Sequence, residues 1–404
     1  MRRLITTAIM AMLAMTAFAR TTTDLRQWEF RLDSETAWRT VTIPHDFQME
    51  LPWDEAAGGA RGFKRMETGW YRTSFDADRE WEGSCVLLEF EGLGMQGDIW
   101  VNGEVAGEID YGYIGGCFDI SKLLRYGQKN EILVKTYTGN AEGSRWYTGG
   151  GLFRPVHIIV KNAISIAQNG VYITTPVITE DSAEVDIQIT MDGYRASVVP
   201  VDVLVEISDP DGKVVAETRH AAPMRNNLLH VEFSIYPMEI ASPKLWSCEE
   251  PNLYTAKVTL RKGAQDIDCV VERFGIRTIE FDQAYGFRLN GKKVFLKGVA
   301  NHHDLGALGA AVYDGALERM ILRLKEFGFN HIRTSHNPYS KSLLDLADKH
   351  GILIVDELYD KWMTQPGQWW IGRYPFTASW FNHEREWIKR DRNHPSVIMW
   401  SLGN

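Results

Sequence analysis

In the last third of the chain, four apolar runs each lead into a polar cluster. Residues 294–299 lead into Asn301-His302-His303-Asp304, and residues 329–334 into Arg333-Thr334-Ser335-His336-Asn337-Pro338. Residues 352–355 lead into Asp356-Glu357, and residues 397–400 into Ser401-Leu402-Gly403-Asn404. A convergence of His, Arg, Asn and carboxylate side chains on one rim is hard to explain as packing. Imidazoles change charge near neutral pH, a guanidinium keeps nearby carboxylates ionised, and a primary amide both donates and accepts. Arg333 also has a structural reading, as an ion-pair partner of Asp356 or Glu357, and the two readings are compatible. His302 and His303 are adjacent, so their rings point to opposite sides, and His302 is the one expected to face a site. His331 lies inside a strand and reads as a satisfied packing histidine. His336 precedes Asn-Pro on a loop and reads as functional. His350 and His394 read as helix-end and loop residues without a site role.

His302, His303, Asp304, His336 and Asp356 include enough ligand types for a metal. The histidines are spaced i, i+1, however, not the i, i+2 that aims both rings inward, so no transition metal is expected. The segment 358–378 carries Tyr359, Trp362, Trp369, Trp370, Tyr374 and Phe376. Loops of this length are usually functional. Trp362, Trp369 and Trp370 could offer flat faces to the C–H face of a pyranose, and the others are expected to pack against the N-terminal part of the chain.

The elements that must position these clusters alternate strand and helix. Leu317, Met320, Ile321, Leu324 and Phe327 share one helical face before Gly328, and Leu343, Leu344, Leu346 and Ala347 mark a second helix ending at Gly351. A third helix is expected over residues 379–390. Residues 278–404 thus read as four βα units of a (β/α)8 barrel, whose active sites lie at the C-terminal strand ends. Upstream the pattern is all β. Residues 20–161 alternate in short runs, with Asn102-Gly103 as a hairpin turn, and read as a jelly roll. Residues 162–277, with strict alternation in 183–189 and 201–207, read as an immunoglobulin-like sandwich.

Composition agrees with a multidomain globular chain. Of 404 residues, 44% are apolar and 24% charged, and the net charge is −9. That charge argues against nucleic-acid binding. Arg2-Arg3, an apolar run to Phe18 and Ala17-Phe18-Ala19 form a signal-peptide pattern over residues 1–19. The protein is therefore expected to be exported to the periplasm or beyond, with no membrane association once the signal is cleaved. Four cysteines are too few for a disulfide framework; Cys248 and Cys269 either pair or join Cys85 and Cys117 as buried free thiols.

The residues then resemble a known family. Asn330-His331-Ile332-Arg333-Thr334-Ser335-His336-Asn337-Pro338, continuing to Asp348-Lys349-His350-Gly351-Ile352-Leu353-Ile354-Val355, is similar to the first signature of glycoside hydrolase family 2. Asp391-Arg392-Asn393-His394-Pro395-Ser396-Val397-Ile398-Met399-Trp400-Ser401-Leu402-Gly403-Asn404 resembles its second. Gly69-Trp70-Tyr71-Arg72, Trp100-Val101-Asn102-Gly103 and Gly151-Leu152-Phe153-Arg154-Pro155-Val156 resemble its sugar-binding jelly roll. Lys297-Gly298-Val299-Ala300-Asn301-His302-His303-Asp304 looks most like bacterial β-galactosidases, with β-glucuronidase, β-mannosidase and a non-catalytic carbohydrate-binding protein as alternatives.

The resemblance implies a carbohydrate substrate. His302 and His336 would bind sugar hydroxyls, Arg333 would support the nucleophile, and Asn404 would bond the 2-hydroxyl. Asp304 and Asp356 would line the site or order the residues behind it, with Asn337 and Trp400 in the same constellation. The family's Glu-x-His magnesium ligands have no match after strand three, so no ligand motif supports Mg2+ or Na+. A homo-oligomer of the full-length protein is left open. Retaining glycosidases need two carboxylates about 5 Å apart. The resemblance puts the acid/base Glu directly after Asn404 and the nucleophile near a seventh strand. The 404 residues are therefore expected to be a fragment without either carboxylate, inactive by itself.

Overall fold

Short alternating runs punctuated by Asn-Gly and Asp-Gly turns fold into sheets that bury one face each. The computed structural model describes residues 20–138, 145–193, 200–222, 230–362 and 376–404. The expected signal peptide, and Trp369, Trp370 and Tyr374, lie outside the described residues.

The first sandwich stacks a four-stranded sheet (Thr21–Asp24, Val156–Lys161, Cys85–Phe90, Gly116–Asp119) on a six-stranded one that includes Thr68–Ala77 and Gln128–Tyr137. Trp28, Tyr71, Phe90, Ile99 and Ile132 fill the space between. Asn102 and Gly103 both take positive φ, 55° and 85°, and join Gln96–Val101 to Glu104–Ile109 as the hairpin predicted. The second sandwich packs three strands (Ile164–Ile178, Ser182–Gly193, His230–Ala241) on four (Val214–Ala221, Asp202–Ser208, Tyr254–Lys262, Gln265–Phe274). Its core is almost wholly aliphatic, with Ile187, Val203, Val205 and Val258 fully buried.

After a small antiparallel sheet (Ile279–Asp282, Gly286–Leu289, Lys292–Lys293) come four parallel strands in sequential order: Gly298–Asn301, His331–Thr334, Leu353–Glu357 and Val397–Ser401. Helices Asp314–Glu326, Lys341–His350 and Phe376–Asp391 connect them. The architecture is therefore two β-sandwiches followed by part of a (β/α)8 barrel. The first and last strands each have one neighbour among the described residues.

Two details correct the sequence reading. The first barrel strand begins at Gly298, not at Val294. Val294 instead continues the preceding small sheet, its N–H donating to Phe287 O at 3.0 Å. Phe327 is not on the buried helical face but is the C-cap residue, 78% exposed, because the helix ends at Glu326. Among the cysteines, all four are free and only Cys248 is buried, so neither the Cys248–Cys269 pair nor a set of four buried thiols is found.

The barrel is bolted to the second sandwich from below. Trp246 is fully buried and its indole N–H donates to Asp348 O at 2.9 Å. Beside it, Gly351 ends the second helix at φ +69°, and a Cβ there would lie 2.4 Å from Cys248 O. Gly351→Ala combines left-handed strain with a backbone clash, and it is expected to cost about 1–3 kcal/mol, read as a lowered denaturation midpoint.

Candidate active site

Side chains alternate across a strand, and laterally paired residues share a face. The register sets Ala300, Arg333, Val355 and Met399 level with one another. Two residues further on, the same face carries His302, Glu357 and Ser401. The opposite face, toward the helices, carries Thr334, Asp356 and Trp400. This parity sorts the candidate residues.

Glu357 is the hub of the inward face. It is fully buried. Its Oε2 accepts from Arg333 Nε (3.0 Å), Arg333 Nη2 (2.6 Å) and Ser401 Oγ (2.7 Å), and its Oε1 bonds His336 Nδ1 at 2.7 Å. Burial alone would raise the carboxyl, but the bonds from His336, Ser401 and Arg333 hold it below the usual carboxylate range. Arg333 therefore pairs with Glu357 and not with Asp356. Its Nη2 also donates to Asn404 Oδ1 at 3.0 Å. The Asn404 amide donates in turn to Asp360 Oδ1 at 3.1 Å, so both ends of that amide are oriented.

His302 bonds Ser335 O through Nδ1 at 2.9 Å. A carbonyl only accepts, so Nδ1 carries the proton. Burial holds the ring below the usual histidine pKa, which keeps it neutral near pH 7. Its Nε2 is then an acceptor with no partner among the described residues. His336 is oriented the same way by Glu357. The rings of His302 and His336 are 5.6 Å apart. Trp146, from the first sandwich, stacks on His302 at 5.2 Å and 8° and meets His336 edge-on at 5.6 Å. Its neighbour Arg145 pairs with Asp360, Nε to Oδ2 at 3.3 Å. The arrangement is a slot in which the buried Trp146 backs two oriented imidazoles beside an oriented amide, suited to a ligand rich in hydroxyls.

Other candidates fall elsewhere. Asp356 does not line the slot. It is fully buried, accepting from Thr334 Oγ1 (3.1 Å) and Trp387 Nε1 (2.7 Å), and burial with Asp391 beside it pushes its carboxyl well up. Thr334 Oγ1 also receives Glu357 N at 2.8 Å, so Asp356 orders the residues behind the hub. Trp400 is on the helix-facing side, edge-on to Trp387 at 4.8 Å. Asn337 is buried, its Nδ2 donating to Pro338 O at 3.1 Å. Asp304 closes its own turn, Oδ1 accepting from Gly306 N at 3.1 Å. His303 points away, fully buried among Tyr113, Phe153 and Tyr339, and burial and Arg154 push it down to about 3. His331 is not satisfied as expected: its Nε2 is buried without a partner.

Trp362 donates to Leu402 O at 2.9 Å and, with Leu358, Tyr359, Phe376, Trp380, Glu384 and Leu402, lines an apolar cavity of about 510 Å3 beside the slot. Trp369 and Trp370 lie outside the described residues. Tyr359 packs under the first sandwich. Its OH bonds His383 Nδ1 at 2.9 Å, His383 Nε2 bonds Asp110 at 2.9 Å, and Tyr111 OH donates to Leu358 O at 2.6 Å. Of the described residues just after strand three, Tyr359 is committed to this contact and Asp360 to Arg145 and Asn404. Among the described residues the one cluster with metal-ligand spacing is Asp345, Asp348 and His394, at the junction with the second sandwich.

Sequence reasoning placed Glu357 and Ser401 at strand ends, and Glu357 as a possible partner of Arg333, without singling out Glu357 as the hub; it did not consider Trp146, Arg145 or Asp360. Counting two residues on from the level of Arg333 would have found Glu357 and Ser401. Trp146 carried no signal, because it reaches the slot from a different domain.

Three family models match the chain: "Glycosyl hydrolase 2 galactose-binding domain-like" over residues 28–148, "Glycosyl hydrolases family 2" over 164–277, and "Glycosyl hydrolases family 2, TIM barrel domain" over 283–404. A β-galactosidase of Bacteroides ovatus is 35% identical over 92% of this chain, and a β-glucuronidase of Bacteroides fragilis is 29% identical over 93%. The chain spans 44% of the first and 55% of the second. A solved glycosyl hydrolase family 2 member from Bacteroides cellulosilyticus superposes with a TM-score of 0.88 at 35% identity, covering 96% of this chain and 52% of that one.

Proposed function

Because the chain belongs to glycosyl hydrolase family 2, we propose that a protein carrying these 404 residues and a complete barrel is a retaining, exo-acting β-galactosidase. The observation that carries this reading is the slot in which His336 and Arg333 bond Glu357, Asn404 bonds Arg333, and His302 lies beside His336. His302 accepts from a sugar hydroxyl through Nε2, and His336, anchored through Nδ1 on Glu357, presents its Nε2 to another. The Asn404 amide, set by Arg333 and Asp360, bonds the 2-hydroxyl. Trp146, buried, backs the His302 ring and fixes where it meets the sugar. Glu357 is fully buried with both oxygens bonded, and Asp360 is buried on Arg145 and Asn404, so neither reaches a substrate atom as acid/base or nucleophile. Those two carboxylates would come from barrel units beyond the four described.

A neutral hexose is favoured over a uronic acid by charge. The charges of Arg333 and Arg145 are already balanced by Glu357 and Asp360, so a sugar carboxylate would bring a further negative charge beside them. The same proposal includes export by the N-terminal segment, checked by N-terminal sequencing of secreted protein.

The test is a panel of nitrophenyl β-glycosides assayed with a barrel-complete chain. The β-galactoside is expected to have a kcat/KM at least about tenfold above the β-glucuronide and β-mannoside, about 1.4 kcal/mol in discrimination, with the β-anomer of galactose released first. Faster cleavage of the glucuronide would replace the galactosidase reading. Sugar binding without hydrolysis would leave a carbohydrate-binding protein. The 404-residue chain itself is expected to bind sugar and hydrolyse none of the panel.

A further inference from the structure

Asp46 lies in the first sandwich, just before a short 3-10 turn, and has no place in the slot itself. Its carboxylate is buried and accepts four hydrogen bonds from three stretches of chain. Oδ1 takes Gln48 N at 3.1 Å and Gly150 N at 3.0 Å. Oδ2 takes Tyr147 OH at 2.7 Å and Ala310 N at 2.8 Å. Tyr147 and Gly150 belong to the loop that carries Trp146. Ala310 belongs to the loop that follows His302.

The two loops meet with no spare room. Gly149 and Gly309 take positive φ, 74° and 64°. A Cβ on Gly149 would sit 2.3 Å from Ala310 Cβ, and one on Gly309 would sit 2.4 Å from Asp46 Oδ2. A single carboxylate therefore sets how closely the jelly-roll loop approaches the first barrel loop. That approach is what places the Trp146 ring on the His302 ring.

We propose that Asp46 is a positioning residue that sets the Trp146–His302 stack, and with it the width of the sugar slot, by tying the loop 145–151 to the loop 302–310. The positioning stands on geometry alone; its effect on sugar affinity rests on the reading of the slot given above.

The 404-residue chain tests both parts. Asp46→Asn keeps the shape but turns an N–H2 toward one pair of donors, which repel it. The His302 ring protons, assigned with His302→Gln, lie in the shielding cone of Trp146. In Asp46→Asn they are expected to move downfield, toward the positions of an unstacked histidine. The affinity for methyl β-D-galactoside, read by titration calorimetry, is expected to fall about tenfold or more. Gly351→Ala serves as the control for plain destabilisation and is expected to leave the His302 signals in place. Folded Asp46→Asn with unmoved His302 signals overturns the proposal. If Asp46→Asn does not fold, Tyr147→Phe removes a single donor and is expected to give a smaller downfield movement, and its absence overturns the proposal equally. Moved signals, with no galactoside binding even by the unsubstituted chain, uphold the positioning and overturn the sugar reading of the slot.

Discussion

Glu357→Gln is expected to lower stability by about 1.5–3 kcal/mol, the order of a charge-assisted hydrogen bond at a buried acceptor, because Arg333 keeps partial access to water. The carboxylate receives four side-chain bonds, and both of its oxygens are needed as acceptors. Gln offers one acceptor and turns an N–H2 toward either Arg333 or the His336 Nδ1–H. Arg333 and His336 then lose their fixed orientation together, since one group held both. In a barrel-complete chain, hydrolysis is expected to fall about 100-fold, the order that an ångström of misplacement costs. The pH dependence supplies a sign. The folded pKa of Glu357 is depressed, so its stabilisation is present above the ordinary glutamate value and is lost as pH falls through the lower folded value. The gap between wild type and Glu357→Gln in urea midpoint should therefore narrow below about pH 4. A gap under about 1 kcal/mol at pH 7 would remove Glu357 from the centre of the site.

Raising the pH is expected to weaken the joint between the barrel and the second sandwich. His394 is nearly buried and bonds Asp348 through Nδ1 at 2.5 Å, and Asp348 also accepts from Ser396 N at 2.9 Å. Burial opposes the charge, but Asp348 wins and lifts the imidazole to about 9. A raised folded pKa means that the stabilisation is complete below the ordinary histidine value and is lost as pH rises through 9. The shift corresponds to about 3 kcal/mol. Stability measured by denaturant should fall by that order between pH 6.5 and 10, and His394→Gln should flatten the profile across the same window while being less stable at pH 6.5. An equal slope in both proteins would show that the pair contributes nothing.

Most of the architecture could be read because its signals are local. Strict alternation over residues 183–189, the Asn102-Gly103 turn, and apolar spacing at Leu317 and Ile321 each depend on neighbours in sequence. The rim was legible because a (β/α)8 barrel puts its chemistry at strand ends. What failed depended on direction or on distance. Asn337 and Trp400 belong to the right stretches but turn away from the slot. Asp356 and Glu357 are adjacent, and only the register tells which one faces inward. The first barrel strand was misplaced because Val294 and Leu296 are as apolar as a barrel strand; they pack instead in the cluster around Trp246. Trp146 is more than 150 residues from His302 in sequence, and no periodicity links them.

The seam between the first sandwich and the barrel is built on groups that dislike being dry. Arg154, fully buried, donates to Pro338 O at 2.9 Å and to Tyr113 O; Asp46 waits for Ala310 N; Asp110 waits for His383. Of these partners, Pro338, Ala310 and His383 are translated long after the sandwich itself, and domains generally fold N-terminal first during synthesis. Before the barrel is added, Asp46 has Gln48, Tyr147 and Gly150 as donors and Arg154 has Tyr113 O as an acceptor, so only the bonds to the barrel wait. The desolvation that makes such groups poor contributors to final stability thus falls due only when the correct partner has emerged, and the seam closes in the order in which the chain is made.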